Sequence, residues 1–344
     1  MKRIFALTMI IVLSLMLLAC SGNYFDVDIE KPVPIPDDGI IKKTVFDDIR
    51  SSSAITIFVG RSGNLEYRWL VFGSQVSDTK DVDLSVELQE ASDGIAVTLP
   101  DALPFPAMLS IALNEKLSAN AAAAYQDGTK VASVSLTGTD ATTLNFPVQN
   151  LSGVCKIIPQ AQQFTEGSDP NRPNSDGSGT EQDNYLTDPV PEGKPLPVEP
   201  GVQADKNKSY TCTFSIECTT ILNNITELEK DKRELIPWDG VILPPTEVTF
   251  YAGESVFDVL QRVCIENNIH MEASWTPIYN SAYIEGIHNL YEFDCGSLSG
   301  WMYAVNGWYP NYGCSRYQLT DGEVIQWRFT CDLGNDVGSD LMGG

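Results

Sequence analysis

Nine aromatic residues, Tyr279, Tyr283, Tyr291, Trp301, Tyr303, Trp308, Tyr309, Tyr312 and Tyr317, crowd one short stretch near the C-terminus of this 344-residue chain. Rings gathered on a rim suit a binding surface, because each joins a broad apolar face to a polar edge or tip. Trp301 and Tyr303 share one strand parity, so both face the core or both face a ligand. Trp308, Tyr309 and Tyr312 lie at or just past Asn306-Gly307, the strongest short signal for a tight hairpin, where burial is harder to arrange. These five residues form the expected ligand-binding set.

The cysteines are the second group with chemistry. Apart from Cys20 they are Cys155, Cys212, Cys218, Cys264, Cys295, Cys314 and Cys331, and all but Cys155 fall in the last 133 residues. In an exported protein such clustering reads as a disulfide framework among Cys212, Cys218, Cys264, Cys295, Cys314 and Cys331, with the pairing left open. The other reading is buried free thiols. No C-x-x-C spacing points to zinc. His270 and His288 are the only histidines; they read as polar surface residues, although either could in principle reach the metal of a ligand. There is no G-x-S-x-G elbow, phosphate loop or H-E-x-x-H pair. Neither an enzyme nor a covalent cofactor is expected.

The chain opens with Lys2-Arg3 and an apolar run from Ile4 to Leu18, the charged and apolar regions of an export signal. The run is too short to span a bilayer. It ends in Leu17-Leu18-Ala19-Cys20, which resembles the bacterial lipobox, and this implies cleavage before Cys20 and acylation of its sulfur. More than one acyl chain makes a stable anchor. The expected location is the outer face of the cell membrane, held there by lipid. With Lys2 and Arg3 removed, 20 basic residues of the original 22 face 46 acidic ones, a charge near −26. A polyanion of that charge repels nucleic acid, which is excluded as a partner.

The elements that must position the aromatics fall in two units. Residues 1–19 are the signal, and the acidic, proline-bearing segment 20–44 reads as a flexible tether. Over 45–159, seven apolar runs separated by turn signals predict an immunoglobulin-like antiparallel β-sandwich. Ala121–Ala124 is read either as part of this pattern or as one helical turn. Residues 160–206, rich in Pro, Gly, Asp, Asn and Ser, predict a disordered linker, leaving the two units as independent beads. Over 207–334 the pattern predicts strands at 210–221 and 247–251, a helix opened by Ser255 with Asp258 in capping-box form, and further strands at 270–275, 300–305, after Trp308, and 324–331. Residues 335–344 read as a flexible tail. The expected fold class is mainly β with an α+β C-terminal domain, β-grasp-like, carrying one packed helix.

The segments Val248–Leu260, Ser299–Gly307 and Tyr317–Ile325 resemble the transcobalamin-like C-terminal β-domain. In bacteria that domain occurs on exported proteins. In animal cobalamin carriers it closes one face of a bound corrinoid, with the Gly-Trp-x-Tyr strand and its hairpin near the ligand. The resemblance implies a cobalamin or other corrinoid ligand against Trp301, Tyr303, Trp308, Tyr309 and Tyr312, captured for uptake. The carriers' helical toroid has no counterpart in this chain, so an importer or a second binding protein is expected over the open side. The other expectation is a surface adhesion or scaffold protein that binds a glycan or a protein.

Overall fold

The computed structural model describes residues 31–91, 93–114, 119, 121–137, 142–160, 185 and 189–339. The signal, Cys20 and most of the linker lie outside the described residues. So do the last five residues of the tail.

The N-terminal unit is a sandwich made from one folded ten-stranded sheet. Its first leaf joins β1 (Val33–Pro34), β3 (Ile55–Ser62), β4 (Leu65–Phe72), β8 (Ala107–Ala112) and β11 (Thr143–Val148). The second leaf joins β9 (Ala121–Gln126), β12 (Gly153–Gln160), β7 (Gly94–Leu99) and β6 (Glu87–Ala91). Strand β10 (Thr129–Thr137) belongs to both. Its Ser135–Thr137 end pairs with β11, its earlier residues pair with β9, and the register shifts between Lys130 and Ala132. A bulge of this kind lets a strand turn the corner between packed sheets. The expected β-sandwich is present, with its two leaves continuous through β10. Ala121–Ala124 is strand and not a helical turn, because pairing with β10 and β12 overrides the helical preference of alanine.

The expected tether ends earlier than its composition suggests. Val33 and Pro34 pair in parallel with Phe58 and Val59, β2 (Ile40–Ile41) pairs with β5 (Val82–Asp83), and helix α1 (Lys43–Ser52) buries Phe46 and Ile49 in the sandwich core.

The C-terminal unit carries a four-stranded sheet in the order β14-β13-β19-β18. These strands are β13 (Asp205–Glu217), β14 (Val241–Ala252), β18 (Gly300–Val305) and β19 (Val324–Thr330). The central pair, β13 and β19, is parallel, and each outer pair is antiparallel, as a β-grasp requires. A short helix, α2 (Thr219–Asn223), follows β13. The long helix α3 (Val256–Glu266) starts at a capping box in which the Ser255 side chain accepts from the Asp258 N–H and the Asp258 carboxylate accepts from Ser255. Its Val256, Val259, Leu260, Val263 and Cys264 pack with Phe214, Ile216, Ile325 and Trp327 of the sheet. A three-stranded sheet of β15 (Met271–Thr276), β16 (Ser281–Ile287) and β17 (Leu290–Tyr291) covers the helix end, with β15 at its edge.

The two units are not independent beads. Leu70, Phe72 and Met108 of the sandwich share one buried cluster with Ile221, Leu222, Ile236, Leu290 and Phe329. Asn223 Nδ2 donates to Thr137 Oγ1 at 2.8 Å, and Arg328 Nη2 reaches the Leu136 carbonyl at 3.4 Å. Strand β4 explains the junction. Tyr67, Trp69 and Val71 face the sandwich core, while Leu70 and Phe72 face outward and would otherwise be exposed.

Nor is the whole linker separate from the C-terminal unit. Residues 189–200 lie along it as a strap, and the structured chain continues past 334, where Asn335–Val337 form a docked turn. That turn corrects the expectation of a flexible tail from residue 335.

Candidate functional site

The five aromatic residues expected at the site sort largely into the core. Tyr303, Tyr309 and Tyr312 are only 8%, 6% and 5% exposed. Tyr303 packs tilted against Trp327, with ring centroids 5.5 Å apart, and donates its hydroxyl to the Tyr312 carbonyl at 2.7 Å. Burial pushes its phenol well above the usual tyrosine range. Tyr309 donates to the Val337 carbonyl at 2.9 Å and accepts from Arg328 Nη1 at 3.2 Å. Tyr312 stacks on Tyr317 with centroids 6.1 Å apart and donates to the Pro195 carbonyl at 2.7 Å.

Trp301 and Trp308 are half-buried. Trp301 Nε1 donates to the Leu290 carbonyl at 2.8 Å while its ring meets Phe329 edge-on. The Trp308 ring lies 6.1 Å from Tyr312, and Lys194 sits 5.4 Å from its centroid.

The turn itself forms as its residues require. Asn306 and Gly307 both have positive φ, at 52° and 74°, and the N–H and C=O of Val305 bond the C=O and N–H of Trp308. The strand expected after Trp308 does not form. Pro310 cannot donate to a ladder, and the chain turns inward, which carries Tyr309 and Tyr312 into the core.

The strap covers this aromatic group from outside. Asn311 Nδ2 donates to the Pro189 carbonyl at 3.1 Å, Arg316 Nε donates to the Val198 carbonyl at 3.3 Å, and the Val198 N–H returns a bond to the Arg316 carbonyl at 2.9 Å. Nothing in its composition announces this contact, because most of these hydrogen bonds use the strap's backbone, with Lys194 over Trp308 as a side-chain addition.

The exposed rings lie elsewhere. The β15–β16 turn presents Trp275 at 50%, Ile278 at 56%, Tyr279 at 43% and Tyr283 at 47% exposure. Trp275 pairs across from Ala282, so it shares the inward face of the sheet, yet it overhangs the core from the edge strand. The turn is tight: Tyr279 N–H bonds the Thr276 carbonyl at 3.2 Å and Asn280 N–H bonds the Pro277 carbonyl at 3.1 Å. The Tyr283 hydroxyl bonds Glu292, and burial together with that carboxylate raises its pKa. A second exposed apolar group, Phe293, Leu298 and Leu333, stands on two loops joined by the Leu333 N–H to Leu298 carbonyl bond at 2.9 Å. The sequence signal for the first group was a Pro-Ile-Tyr-Asn turn flanked by Trp275 and Tyr283. Those rings sit at a turn, as Trp308 does, and stay exposed even though the strap reaches the turn through Glu199, which accepts from Asn280 Nδ2 at 2.9 Å.

The expected disulfide framework is corrected. All seven cysteines of the described residues are free thiols, six of them buried. Cys212 and Cys264 alternate into the core and Cys314 joins them, each behaving as a small apolar side chain. Burial pushes all three thiols up to about 12. Cys295 bonds the Asn224 carbonyl at 3.4 Å, and Cys331 lies 3.7 Å from Thr220 Oγ1. A hydrogen bond shared with Cys295, reinforced by burial, raises the Cys331 pKa further. Cys212, Cys264, Cys314 and Cys331 are thus not poised as thiolates at neutral pH.

Both histidines are half-buried. His270 Nε2 lies 3.2 Å from Glu272, and His288 Nε2 contacts the Leu235 carbonyl at 3.0 Å. Among the described residues no group of His, Cys, Asp and Glu could hold a metal ion, and no helix is long and apolar enough to cross a membrane.

Comparison with known proteins adds a partial family match and one distant structure. Residues 253–331 match DUF4430, a domain of unknown function. No curated protein matches the chain. Among solved structures the chain is similar to haptocorrin, crystallised in complex with Cbi, at 15% identity and a TM-score of 0.28, over 38% of this chain and 27% of that one.

Proposed function

We propose that this chain is an exported surface protein, lipid-anchored at Cys20 on the outer face of the cell membrane, whose C-terminal domain binds a ligand without catalysing a reaction. Its ligand is a flat molecule with an apolar face, of the corrinoid class, resting on Trp275 and on Ile278 and Tyr279 of the adjoining turn. The observation that carries this reading is the exposure of Trp275, Ile278 and Tyr279 around one hydrogen-bonded turn. Exposed apolar groups of this size on a rigid element are characteristic of binding surfaces. The corrinoid class rests on the motif resemblance at Val248–Leu260, Ser299–Gly307 and Tyr317–Ile325.

A platform of this shape covers one face of a ligand, whereas small-molecule sites bury most of the ligand surface. A second binding protein or an importer therefore closes the other face, and the captured corrinoid passes on for uptake.

The test is a titration of the soluble chain, begun after Cys20, with cyanocobalamin and with cobinamide. Visible absorbance and tryptophan emission are both followed. A saturable change that Trp275→Ala weakens at least about tenfold supports the reading, since truncating an anchoring aromatic commonly costs this much. If neither corrinoid gives a saturable response, the corrinoid reading is wrong.

A further inference from the structure

Between the two units runs a cleft of about 760 Å³. Ligand sites commonly measure about 300 to 1,000 Å³ and favour domain junctions. Its walls come from both sides of the junction. Ile55 and Phe72 of the sandwich meet Ile236 and Trp238 of the C-terminal unit, and polar groups border this apolar floor.

The charge of the lining narrows the ligand. The whole chain carries −24, yet the cleft holds Lys230 and Arg233 against Glu234. Arg233 is committed inward, with Nε donating to the Leu228 carbonyl at 3.2 Å and Nη2 to the Thr226 carbonyl at 2.8 Å. The remaining Lys230 and Glu234 oppose each other in sign. No concentrated charge selects an anion or a cation, so the site suits a neutral molecule that combines an apolar face with hydrogen-bonding groups. The rim supplies such partners at Ser53, Ser74 and Gln75, all exposed. Trp238, half-buried, contributes an aromatic surface to the same cleft.

The walls are also fixed in advance. A Cβ on Gly73 would stand 2.2 Å from the Ile49 carbonyl oxygen, so this glycine lets the 73–75 turn close against the end of α1. The Gly73 N–H also bonds the Ala54 carbonyl at 2.8 Å. On the other wall, residues 230–235 are held by Lys232 on Asp294 at 2.6 Å and by His288 on the Leu235 carbonyl. A preformed cleft avoids the ordering cost that weakens binding.

We propose that this junction cleft is a glycan site for an oligomer of equatorially substituted pyranose rings. Such a ring has a flat C–H face for the apolar floor and a girdle of neutral hydroxyls for Ser53, Ser74 and Gln75. The site is separate from the rings at the β15–β16 turn.

The soluble chain is titrated calorimetrically with the β-1,4-linked tetramers of N-acetylglucosamine and of glucose, and with α-1,4-linked maltotetraose. Saturable one-site binding of at least one β-linked tetramer is expected, with maltotetraose at least about tenfold weaker. Ser74→Trp fills the rim from an exposed position and should weaken binding at least about tenfold while thermal stability is retained. Trp238→Ala should weaken it as well, but that residue also packs in the junction, so Ser74→Trp is decisive. Trp275→Ala should leave sugar binding unchanged, which separates this site from the corrinoid platform. No saturable binding by either β-linked tetramer overturns the proposal, as does equal affinity for maltotetraose or an unaffected Ser74→Trp variant.

Discussion

Raising the pH from 8 to 10 should destabilise the protein through thiols that never react. Cys212, Cys264 and Cys314 are held neutral up to about 12 in the folded chain, against an ordinary value of 9.0. An acid whose folded pKa is raised binds its proton more tightly in the native state, so its stabilising contribution is complete below pH 9 and falls as pH climbs toward 12. At pH 10 each unfolded thiol is about nine-tenths ionised while its folded counterpart is not. With about 1.36 kcal/mol per pKa unit, each thiol removes about 1.4 kcal/mol, and the three together about 4. That is a large part of a typical total of about 5 to 15 kcal/mol. Urea unfolding at pH 8, 9 and 10, followed by tryptophan emission, measures the loss. Other groups also titrate in this range, so Cys264→Val supplies the control: it keeps an apolar side chain on the inner face of α3 and should reduce the loss between pH 8 and 10 by about 1.4 kcal/mol. An identical pH dependence in the variant and the parent would refute the assignment of that proton to the buried thiol.

Four further outcomes follow. Thiol titration of the denatured, unreduced soluble chain should count seven free thiols, and the native protein should react slowly; a count near one would restore the disulfide framework. Trp327→Ala should cost about 3 to 5 kcal/mol in chemical denaturation because its ring is fully buried, whereas Trp308→Ala, at a half-buried ring, should cost clearly less. Arg328→Leu removes the partner of Glu217 and the bonds to Val337 and Leu136, so it should destabilise by about 3 to 5 kcal/mol and loosen the junction, visible as faster hydrogen exchange in β10. Cys20→Ala should move the protein from the membrane fraction to the medium or stall its processing; unchanged partitioning would remove the anchor from the proposal.

The C-terminal core was legible in the sequence where periodicity and local chemistry agreed. The alternation of Cys212, Phe214, Ile216 and Cys218, the 3.6-residue spacing from Val256 to Cys264 and the Ser255–Asp258 capping box each depend on residues close in the chain. Strand β18 was read at its observed bounds for the same reason. The site was less legible. Trp308, Tyr309 and Tyr312 follow a turn that does form, but whether such rings are exposed depends on the strap, more than a hundred residues earlier, and on the turn at 335–337. The junction was half visible: the unbroken Trp69-Leu70-Val71-Phe72 run has apolar groups on both strand faces, a pattern of burial on both sides. The cysteines misled because their clustering in sequence tracks which faces point inward; only Cys295 and Cys331 share a hydrogen bond among those described, and both are free thiols.

The placement of β13 has a consequence for how the chain is made. It is the first strand of its sheet to be synthesised, yet it sits between β14 and β19, and Phe214 pairs with Ile325 near the end of the chain. The strap is bound in the same delayed way, since Val198 must wait for Arg316. As the chain emerges from its N-terminus, the sandwich can close on its own strands, but the C-terminal sheet stays open on one side until almost the last residue has emerged. Contacts so distant along the chain make folding slow. A chain stopped anywhere between residues 217 and 324 would therefore display the unpaired edge of β13 and an uncovered Phe72, a ready substrate for proteases, so that only full-length molecules persist.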